Sequence, residues 1–508
     1  MTTIRKLVLI VIACCLMIVI VLSLYLWNKP SSPVPLPSIN RDMFPLTVEE
    51  GDLSNHVNVL SEGALGDGIT DDTVNLQRTI DKAAAVGITV YFPAKTYLVS
   101  PKKARNGASN DWWCLTIPSN ASIRFQPGAV LKVIDNAPAT TRILVMNRVN
   151  NVNLMGHVEI DGRSGTVKAG NEHMAGIFIF SSTKISMESA YSHDSYGDNL
   201  FVGGTEEEPS EQVAIRYFKG TTAGRKNMVI HYVDNLHVGT AVLDNSLGGA
   251  PNFKGSNSLD VEPDAFKGSR SFKQWIDNLT TYGTGNDFTV GTERALAEKW
   301  VVKVGNFTSY TVGIEKDVDG DTSSLLMYAI TLIIDKFTLV SKDDNANKGV
   351  KMIYGGVLEI RNAQIEGGRG MALDLHSQSN DKKPKVEIGT LKVDRPLGGG
   401  IRAWGADVSI DHFEVKRLMG KALDLYGTTE HSVSIKNAKI VDSGAEQSLY
   451  VAKYEDNKTR LDIGTLLVMD SRTKKVGHIL EFGSEAAKSD TRIGKIYNPN
   501  NITEYTVR

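Results

Sequence analysis

The chain has 508 residues, of which 56 are Lys or Arg and 58 are Asp or Glu, so its formal net charge is −2. A balance this close to neutral gives no indication of a nucleic-acid-binding surface. Of the three cysteines, only Cys114 lies outside an apolar N-terminal segment, so the sequence excludes a domain stapled by internal disulfides. Paired zinc-binding cysteines, the phosphate-binding P-loop and the G-x-S-x-G nucleophile motif are absent from the sequence. We therefore expect a domain that is stabilised by its apolar core and requires no cofactor.

The N-terminus contains a strongly apolar segment. Residues 7–27 include only one strongly polar side chain, that of Ser23, and are long enough to cross a hydrocarbon layer of about 30 Å. Arg5 and Lys6 precede this segment, which predicts that the N-terminus stays in the cytoplasm and that the rest is exported. No signal-peptidase site follows, so an uncleaved anchor is favoured, and a lipoprotein processed at Cys14 is the alternative. The predicted organisation is a cytoplasmic stub (1–6), a single transmembrane signal anchor in the cell membrane (7–27), a Pro-rich spacer (28–44) and an extracytoplasmic domain (45–508).

Next along the chain, residues 63–99 predict a Gly-rich turn, a short amphipathic helix and a strand. The helix is predicted over residues 71–86, with Thr70 as its N-cap and Gly87 at its C-terminus. A strand is predicted over residues 88–93. Such a helix is suited to cover the N-terminal end of a stack of strands, whose open edges would otherwise invite aggregation. The apolar face of the helix consists of Leu76, Ile80 and Ala84.

The C-terminal half repeats an eight-residue pattern that is apolar at its first, third, sixth and eighth positions. Successive copies start 26, 28, 22, 25 and 28 residues apart. Alternation, a two-residue break and renewed alternation predict two short strands that meet at a corner and point one face inward. A unit of this size cannot bury its apolar face alone, so the repeat predicts an all-β solenoid, a parallel β-helix. The copies are residues 332–339, 358–365, 386–393, 408–415, 433–440 and 461–468.

Charged residues also recur in the middle of the chain. In a parallel β-helix, residues that are one coil apart form a column with neighbours about 4.8 Å apart. One such column has steps of 27, 35, 27 and 28 residues, and the long step contains a Gly/Pro-rich stretch at 248–255 that resembles a loop insertion. The predicted column consists of Asp198, Arg225, Asp260, Asp287 and Glu315.

Apolar residues alternate with polar ones along the strands that carry this column. If the apolar side chains pack inward, the polar ones face solvent on one sheet and form a groove. Pro263 would end one of these strands, where a loop can begin. The side chains predicted to face the groove are Arg225, Asn227, Asp260, Glu262 and Asp287.

Three parts of the sequence resemble one protein family. The order of elements in residues 63–99 closely resembles the opening of the pectate-lyase-like right-handed β-helix proteins, which include polygalacturonases, rhamnogalacturonases, pectate lyases, uronan epimerases and phage tailspikes. Residues 192–202, SHDSYGDNLFV, are similar to the aspartate-bearing strand entry of that family, although Asn199 stands where Gly is common. Residues 224–230 and 258–264 are similar to its Arg-Asn strand and its Asp-x-Glu-Pro segment. The motifs of polygalacturonases and the Asp-Pro-His of alginate epimerases are missing. The resemblance therefore implies a right-handed β-helix that acts on a polysaccharide, and it leaves hydrolysis, elimination and epimerisation open.

Clustered carboxylates favour hydrolysis of an acidic polysaccharide, because a glycoside hydrolase needs one protonated and one ionised carboxyl group. The alternative is a lyase or uronan epimerase, with Arg225, His193 or Tyr196 as the base and with Ca²⁺ on oxygen ligands such as Asp260, Glu262 and Asp264. A non-catalytic glycan-binding surface protein is the third possibility. No residue is assigned as a ligand of a required metal. The candidate catalytic residues are Asp198, Asp260, Glu262 and Asp287, and the candidate substrate-binding residues are His193, Tyr196, Arg225, Asn227, Asp264, Trp275 and Glu315.

Overall fold

The fold is seen in a computed structural model of the chain. The described residues are 55–104, 111–167, 174–244, 257–262, 270–283, 287–291, 297–311, 323–341, 349–353, 355–377, 383–396, 398–426, 430–443, 451–453, 459–470, 478–482, 488, 490–500 and 502–507. The predicted signal anchor and spacer lie outside these residues. Within the described part of the chain, none of the helices combines the length and apolarity of a membrane span.

Among the described residues, the chain winds through two sheets of parallel strands, here named sheet A and sheet B, and only the short pair β5–β6 is antiparallel. Sheet A contains β1 (His56–Asn58), β2 (Asp67–Asp71), β3 (Thr89–Phe92), β4 (Thr96–Val99), β7 (Ser122–Val133), β9 (Asn150–Asp161), β11 (Thr183–His193), β13 (Ser210–Thr221), β15 (Val233–Asp244), β17 (Phe272–Gly283), β19 (Ala297–Thr311), β21 (Ile330–Ser341), β23 (Val357–Glu366), β25 (Lys385–Asp394), β27 (Asp407–Lys416), β29 (His431–Val441), β31 (Thr459–Met469) and β33 (Thr491–Tyr497). Sheet B contains β5 (Lys102–Lys103), β6 (Trp112–Thr116), β8 (Thr141–Asn147), β10 (Ala175–Phe180), β12 (Asp198–Gly203), β14 (Lys226–Ile230), β16 (Asn257–Val261), β18 (Phe288–Val290), β20 (Leu325–Tyr328), β22 (Val350–Ile353), β24 (Met371–His376), β26 (Gly399–Trp404), β28 (Lys421–Tyr426), β30 (Val451–Lys453), β32 (His478–Phe482) and β34 (Thr503–Val507). The helical elements given for the described ranges are α1 (Thr73–Val86) and a short 3₁₀ turn, Ser164–Thr166. From β6 onward each coil contributes one strand to each sheet, which is the arrangement of a parallel β-helix.

The predicted repeat is confirmed by the register of sheet A. The first residues of the six copies pair with one another in succession: Leu332, Leu358, Val386, Val408, Val433 and Leu461. The four apolar positions of the first copy are fully buried, whereas Asp335 and Lys336 between them are not. The predicted corner lies inside one continuous strand, β21, and not between two strands, because the pairing with β23 skips only Asp335.

The helix begins later than predicted. Thr70 is not its N-cap; α1 starts at Thr73 and the N-cap position is Asp72, whose side chain makes no capping hydrogen bond. The Asp72 carboxylate instead accepts hydrogen bonds from the backbone N–H groups of Leu65 (2.7 Å) and Gly66 (2.9 Å). Asp72 therefore fixes the Gly-rich turn before the helix, and this use of its carboxylate explains why the helix starts after it.

The helix covers the N-terminal end of the core, as predicted. Leu76 and Ile80 are buried, and the helix ends at Gly87, which adopts a left-handed conformation (φ 72°) that glycine tolerates without strain. The Gln77 side chain holds α1 to sheet B by donating to the Thr116 carbonyl (2.7 Å) and accepting from the Thr116 N–H (2.8 Å). The buried thiol of Cys114 lies in the same strand, β6.

Candidate functional site

Four of the predicted charged residues, Asp198, Arg225, Asp260 and Glu262, meet on the outer face of sheet B, in β12 and β16 and in the turns beside them. Asp198 lies opposite Lys226, and Asp260 lies opposite Val229, so the single column expected from the sequence is divided between two columns. We name the cluster formed by Asp198, Arg225, Lys226, Asp260 and Glu262 the charged site. Its members come from three consecutive coils, which a parallel β-helix stacks about 4.8 Å apart.

Asp198 is the most unusual member of the charged site. Its residue surface is 3% exposed, and one carboxylate oxygen, Oδ1, has no hydrogen-bond partner among the residues that the structure describes. The other oxygen, Oδ2, lies 3.3 Å from Nη1 of Arg225. Burial raises the pKa of Asp198 to about 7, although Arg225 and Lys226 favour its charged form. A carboxyl group with a pKa near neutrality can both give and take a proton, so Asp198 is suited to acid–base chemistry.

Arg225 joins two carboxylates across the site. Its Nη2 donates to Oε2 of Glu262 at 2.9 Å while its Nη1 contacts Asp198. The Glu262 side chain is 27% exposed and therefore reaches solvent at the edge of the cluster. One guanidinium thus links a buried carboxyl group to an accessible one.

Lys226 and Asp260 form a second, buried ion pair through Nζ and Oδ2. Only 11% of the lysine side chain and 3% of the aspartate side chain are exposed. Burial raises the pKa of Asp260 to about 6 despite the neighbouring ammonium group. Removing two charges from water costs several kcal/mol per ion by order of magnitude, so a pair in this place is retained at the expense of stability.

Arg142 extends the site toward the N-terminus and was not singled out from the sequence. It shares a column with Asp198 through Ala175, and its Nη1 donates to Oδ2 of Asp111 at 2.8 Å. Burial lowers the pKa of the Arg142 guanidinium, whereas Asp111 and Asp198 oppose this change. In the sequence, Arg142 is an arginine near the start of a strongly apolar strand. Its relation to Asp198 could not be inferred from residue spacing, because the two coils between them differ in length.

An aromatic platform lies beside the charges. Phe178 and Phe201 are opposite each other in β10 and β12 and stack with ring centroids 5.1 Å apart, and Phe180 stacks on Phe178 at 5.6 Å. The Arg142 guanidinium lies 3.8 Å above the Phe178 ring, a cation–π contact. Because Asp260 continues the column of Phe178 and Phe201, apolar and charged surfaces meet in one row, as in many ligand sites.

Two residues predicted to face outward point into the β-helix, so this part of the prediction is wrong. Asn227 is fully buried and accepts a 2.7 Å hydrogen bond from Nδ2 of Asn199. Asp287 is fully buried, and its carboxylate accepts a hydrogen bond from Ser309 Oγ in sheet A. At Asn227 the physical reason is an irregularity at the strand entrance, where the pairing skips one residue and the successive side chains of Asn227 and Met228 are both buried. Asp287 directly precedes β18, and it and the next residue, Phe288, are likewise both buried.

Other candidate residues lie away from the charged site. His193 is on sheet A, where Nδ1 is 2.7 Å from Asp194 and Nε2 is 3.3 Å from Glu159. Burial alone lowers the pKa of His193, but the hydrogen bonds to these carboxylates outweigh it and raise the pKa to about 9. Ligand atoms of Asp161, His193 and Asp194 lie within 4.8 Å of one another and are spaced as in a cation site. The imidazole of His193 is, however, already hydrogen-bonded to the carboxylates of Asp194 and Glu159.

The remaining candidates have three different positions. Tyr196 is buried, and its ring packs among the apolar side chains of the core. Trp275 lies on sheet A in β17 with 39% of its surface exposed. Asp264 and Glu315 lie outside the described residues. Their assignments as glycan contacts stay predictions.

Comparison with known proteins gives one family and several relatives. The model of the "Rhamnogalacturonase A/epimerase, pectate lyase-like" family matches residues 56–106. The chain is 24% identical over 229 residues to the "Uncharacterized protein YclG" of Bacillus subtilis, which is 41% of this chain and 38% of that protein. It is 51% identical over 81 residues to the mannuronan C5-epimerase AlgE2 of Azotobacter vinelandii, which is 15% of this chain and 8% of the epimerase. The chain thus spans well under half of the length of either relative.

Among solved structures, the chain is similar to a mutant tailspike protein of E. coli bacteriophage HK620 in complex with a pentasaccharide. The TM-score is 0.52 at 12% sequence identity, over 87% of this chain and 81% of the tailspike. A likeness at this identity concerns the fold alone. The family match over the N-terminal turn, helix and strand, together with the parallel β-helix, confirms the resemblance to the pectate-lyase-like proteins.

Proposed function

We propose that this protein is a polysaccharide-processing enzyme that acts on an acidic glycan at the charged site of sheet B. The observation that carries the proposal is Asp198, a buried carboxyl group with a pKa of about 7. Its Oδ2 contacts Arg225, whereas its Oδ1 has no hydrogen-bond partner among the described residues. Arg225 and Lys226 of the charged site and the neighbouring Arg142 are each paired with a carboxylate of the chain, and the carboxylates of a uronate chain can compete for them. Phe180 and Phe201 of the aromatic platform are partly exposed and offer rings on which a sugar can stack, whereas Phe178 is covered by Arg142.

Hydrolysis is the first reaction that this geometry supports. Asp198 serves as the general acid, since its raised pKa keeps a proton on it near neutrality, and Glu262 serves as the ionised partner. A single guanidinium joins their carboxyl groups, which fits the spread of roughly 5 to 9.5 Å between the carboxyl pairs of retaining and inverting glycosidases. Asp260, held by Lys226, then acts through the field that it exerts on its neighbours and not through direct contact.

Epimerisation or elimination at C5 of a uronate is the second candidate, and the local similarity to mannuronan C5-epimerase AlgE2 favours it. In this case Asp198 accepts the C5 proton, and the cations of the charged site neutralise the substrate carboxylate. In this candidate, Ca²⁺ on oxygen ligands such as Asp260 and Glu262 would have to displace Lys226 and Arg225, with which these carboxylates are paired.

The test uses residues 45–508 and three readouts on polymannuronate and polygalacturonate in D₂O. New reducing ends alone identify a hydrolase, an ultraviolet-absorbing C4–C5 double bond identifies a lyase, and deuterium at C5 without chain cleavage identifies an epimerase. Asp198→Asn is expected to lower turnover by about 10²- to 10⁴-fold, the usual contribution of a general acid or base. Asp277→Asn, on the exposed face of sheet A, is the matched control and keeps its activity. Retention of the polymers without any product would instead identify a non-catalytic glycan-binding protein.

The pH profile separates the two candidates independently. If Asp198 is the general acid of a hydrolase, kcat falls as the pH rises through about 7, because the proton is lost. If Asp198 is the base that removes the C5 proton, kcat falls as the pH drops through about 7. A profile that Asp198→Asn leaves unchanged in shape would remove Asp198 from either role.

We also propose that the domain is displayed on the outer side of the cell membrane by residues 7–27. The support is the length and apolar composition of that segment and the basic residues before it. The full-length chain is expected in the membrane fraction, with its β-helix accessible to protease in intact cells. A chain that starts at residue 45 is expected in the soluble fraction, and recovery of both chains there would contradict the proposal.

A further inference from the structure

Sheet B presents an exposed aromatic row on its C-terminal coils, away from the charged site. His376, Trp404 and Tyr426 occupy the ends of β24, β26 and β28 and are aligned by the strand register. The centroid of Trp404 lies 5.7 Å from that of His376 and 6.5 Å from that of Tyr426. Trp404 is 47% exposed, which is unusual for so large an apolar side chain. We name this row and the charged side chains beside it the Trp404 surface.

Charged residues two positions earlier hold the rings in place. Asp374 Oδ1 is 2.6 Å from Nε2 of His376, and Asp424 Oδ2 accepts a 2.7 Å hydrogen bond from the Tyr426 hydroxyl. The Arg402 guanidinium lies between the two aspartates, 3.8 Å from Asp374 and 3.9 Å from Asp424. The rings therefore stand in fixed orientations beside Asp374 and Arg402, whose side chains are 23% and 38% exposed, whereas Asp424 is buried.

The Trp404 surface and the charged site lie along the same row of paired strands in sheet B. Asp260 and Arg402 belong to one register column, joined by five strand-to-strand steps through Thr289, Leu326, Lys351 and Asp374. At about 4.8 Å for each step, the two places are about 24 Å apart along the axis of the β-helix. Both face outward from the same sheet, so one extended chain can lie along both.

We propose that the Trp404 surface is a remote binding site for the same acidic polysaccharide that is processed at the charged site, and this inference rests on the proposed function. A sugar ring has an apolar face that stacks on an exposed indole and a rim of hydroxyl groups that bond to carboxylates and guanidinium groups. An apolar protein partner fits less well, because the exposed indole is bordered by charged side chains that such a partner would bury. Contact at two places raises the effective concentration of a long chain at the charged site, and a short chain gains nothing.

The experiment measures the retardation of the protein in native gels that contain polymannuronate or polygalacturonate. Trp404→Ala is expected to raise the polymer concentration at half-maximal retardation roughly tenfold, the loss typical of an aromatic hot spot. Trp404→Phe keeps a ring and is expected to lose less. Tyr497→Ala removes another exposed aromatic ring, on sheet A, and is expected to leave retardation unchanged.

Initial rates supply a second readout on the same variants. For Trp404→Ala, KM for the polymer is expected to rise with kcat unchanged, whereas both constants for a trisaccharide stay as in the wild type. Thermal unfolding shows that the variants are folded, which is expected for a half-exposed side chain.

The outcomes distinguish this inference from the proposed function. Equal retardation of the wild type and Trp404→Ala, with product formed, overturns the remote site and leaves the charged site intact. A wild type that neither binds nor changes either polymer overturns both. Self-association of the wild type in sedimentation that Trp404→Ala abolishes would overturn the inference by identifying a contact between two copies of the chain.

Discussion

Two ion pairs on the outer face of sheet B show how burial changes the chemistry of one fold position. Lys226–Asp260 and Arg402–Asp374 both join neighbouring coils, and Asp260 and Arg402 even belong to the same register column. The first pair is in direct contact with side chains that are 11% and 3% exposed. The second pair is 3.8 Å apart with side chains that are 38% and 23% exposed.

The comparison shows that the β-helix determines where two charged side chains meet, and that their exposure to water determines how strongly they interact. Water screens the Arg402–Asp374 pair, so its charges interact weakly and suit reversible contacts with a polar ligand. Around Lys226 and Asp260 water is excluded, charges interact strongly, and protonation states shift. If this comparison is right, equal substitutions in the two regions have unequal effects.

The largest effect on stability is expected from Lys226→Met, because it leaves Asp260 buried without its partner. We expect a loss of about 3–5 kcal/mol in the free energy of unfolding, against less than about 1 kcal/mol for Arg402→Met. Denaturant titration of both variants provides the measurement. The double variant Lys226→Met/Asp260→Asn is expected to recover much of the loss, and equal losses in the two single variants would break the comparison.

The next effect concerns Asp198 and depends on pH. Its pKa is about 7 in the folded chain and 3.8 as the ordinary value, so the folded state holds the proton more tightly between these values. Stability therefore falls as the pH rises from about 4 to about 7, by up to about 1.4 kcal/mol for each pH unit, and then stays constant. Asp198→Asn mimics the protonated form, so we expect it to be more stable than the wild type at pH 8 and similar to it at pH 4. Thermal unfolding across this range gives the answer, and a gain that does not depend on pH would exclude titration of Asp198 as its source.

His193 on sheet A is an intermediate case with the opposite sign. Its folded-state pKa is about 9, above the ordinary 6.5, so its stabilising charge is fully present below about pH 6.5 and is lost as the pH rises through about 9. We expect His193→Gln to destabilise the protein by about 1–2 kcal/mol at pH 6, and by much less at pH 10. Matched unfolding curves at the two pH values measure this, and a loss that grows with pH would contradict the assignment.

The smallest effect is expected for a fully hydrated pair. Arg148 and Glu208 are 2.8 Å apart with more than half of each side chain exposed. Arg148→Met is expected to change the free energy of unfolding by about 0–1 kcal/mol, and added salt should remove even this difference. A loss as large as that of Lys226→Met would show that exposure does not govern these pairs.

The fold could be predicted from the sequence because the core imposes its pattern on every coil. Each copy of the repeat must place apolar side chains at the same positions, and the starts of the copies at 332 and 358 pair directly in sheet A. The end of α1 could also be predicted, because few residue types other than glycine adopt the left-handed conformation that Gly87 has after the helix. Its start was not, because the sequence does not show that the Asp72 carboxylate bonds to the preceding turn.

The site could be predicted only in part. Spacing predicted that Asp198, Arg225 and Asp260 lie on successive coils, since coils of similar length stack their members, and the alternation along the last strand added Glu262. Strict alternation failed for Asn227 and Asp287, because the burial of two successive side chains at a strand entrance leaves no mark in the order of residue types. Lys226 was missed for a related reason: its burial depends on a contact with Asp260 in the neighbouring coil, which the order of residue types does not show.

The buried thiol of Cys114, beneath the capping helix α1, can be used to measure how often the N-terminal end of the β-helix opens. Cys114 lies in β6, the strand to which Gln77 of α1 is bonded, and burial raises the pKa of its thiol well above the ordinary value. A thiol reagent can modify it only when the helix and the first coils separate. In a chain that starts at residue 45, and so lacks Cys14 and Cys15, the rate of labelling measures how often this end of the solenoid opens, while the rest of the β-helix stays silent.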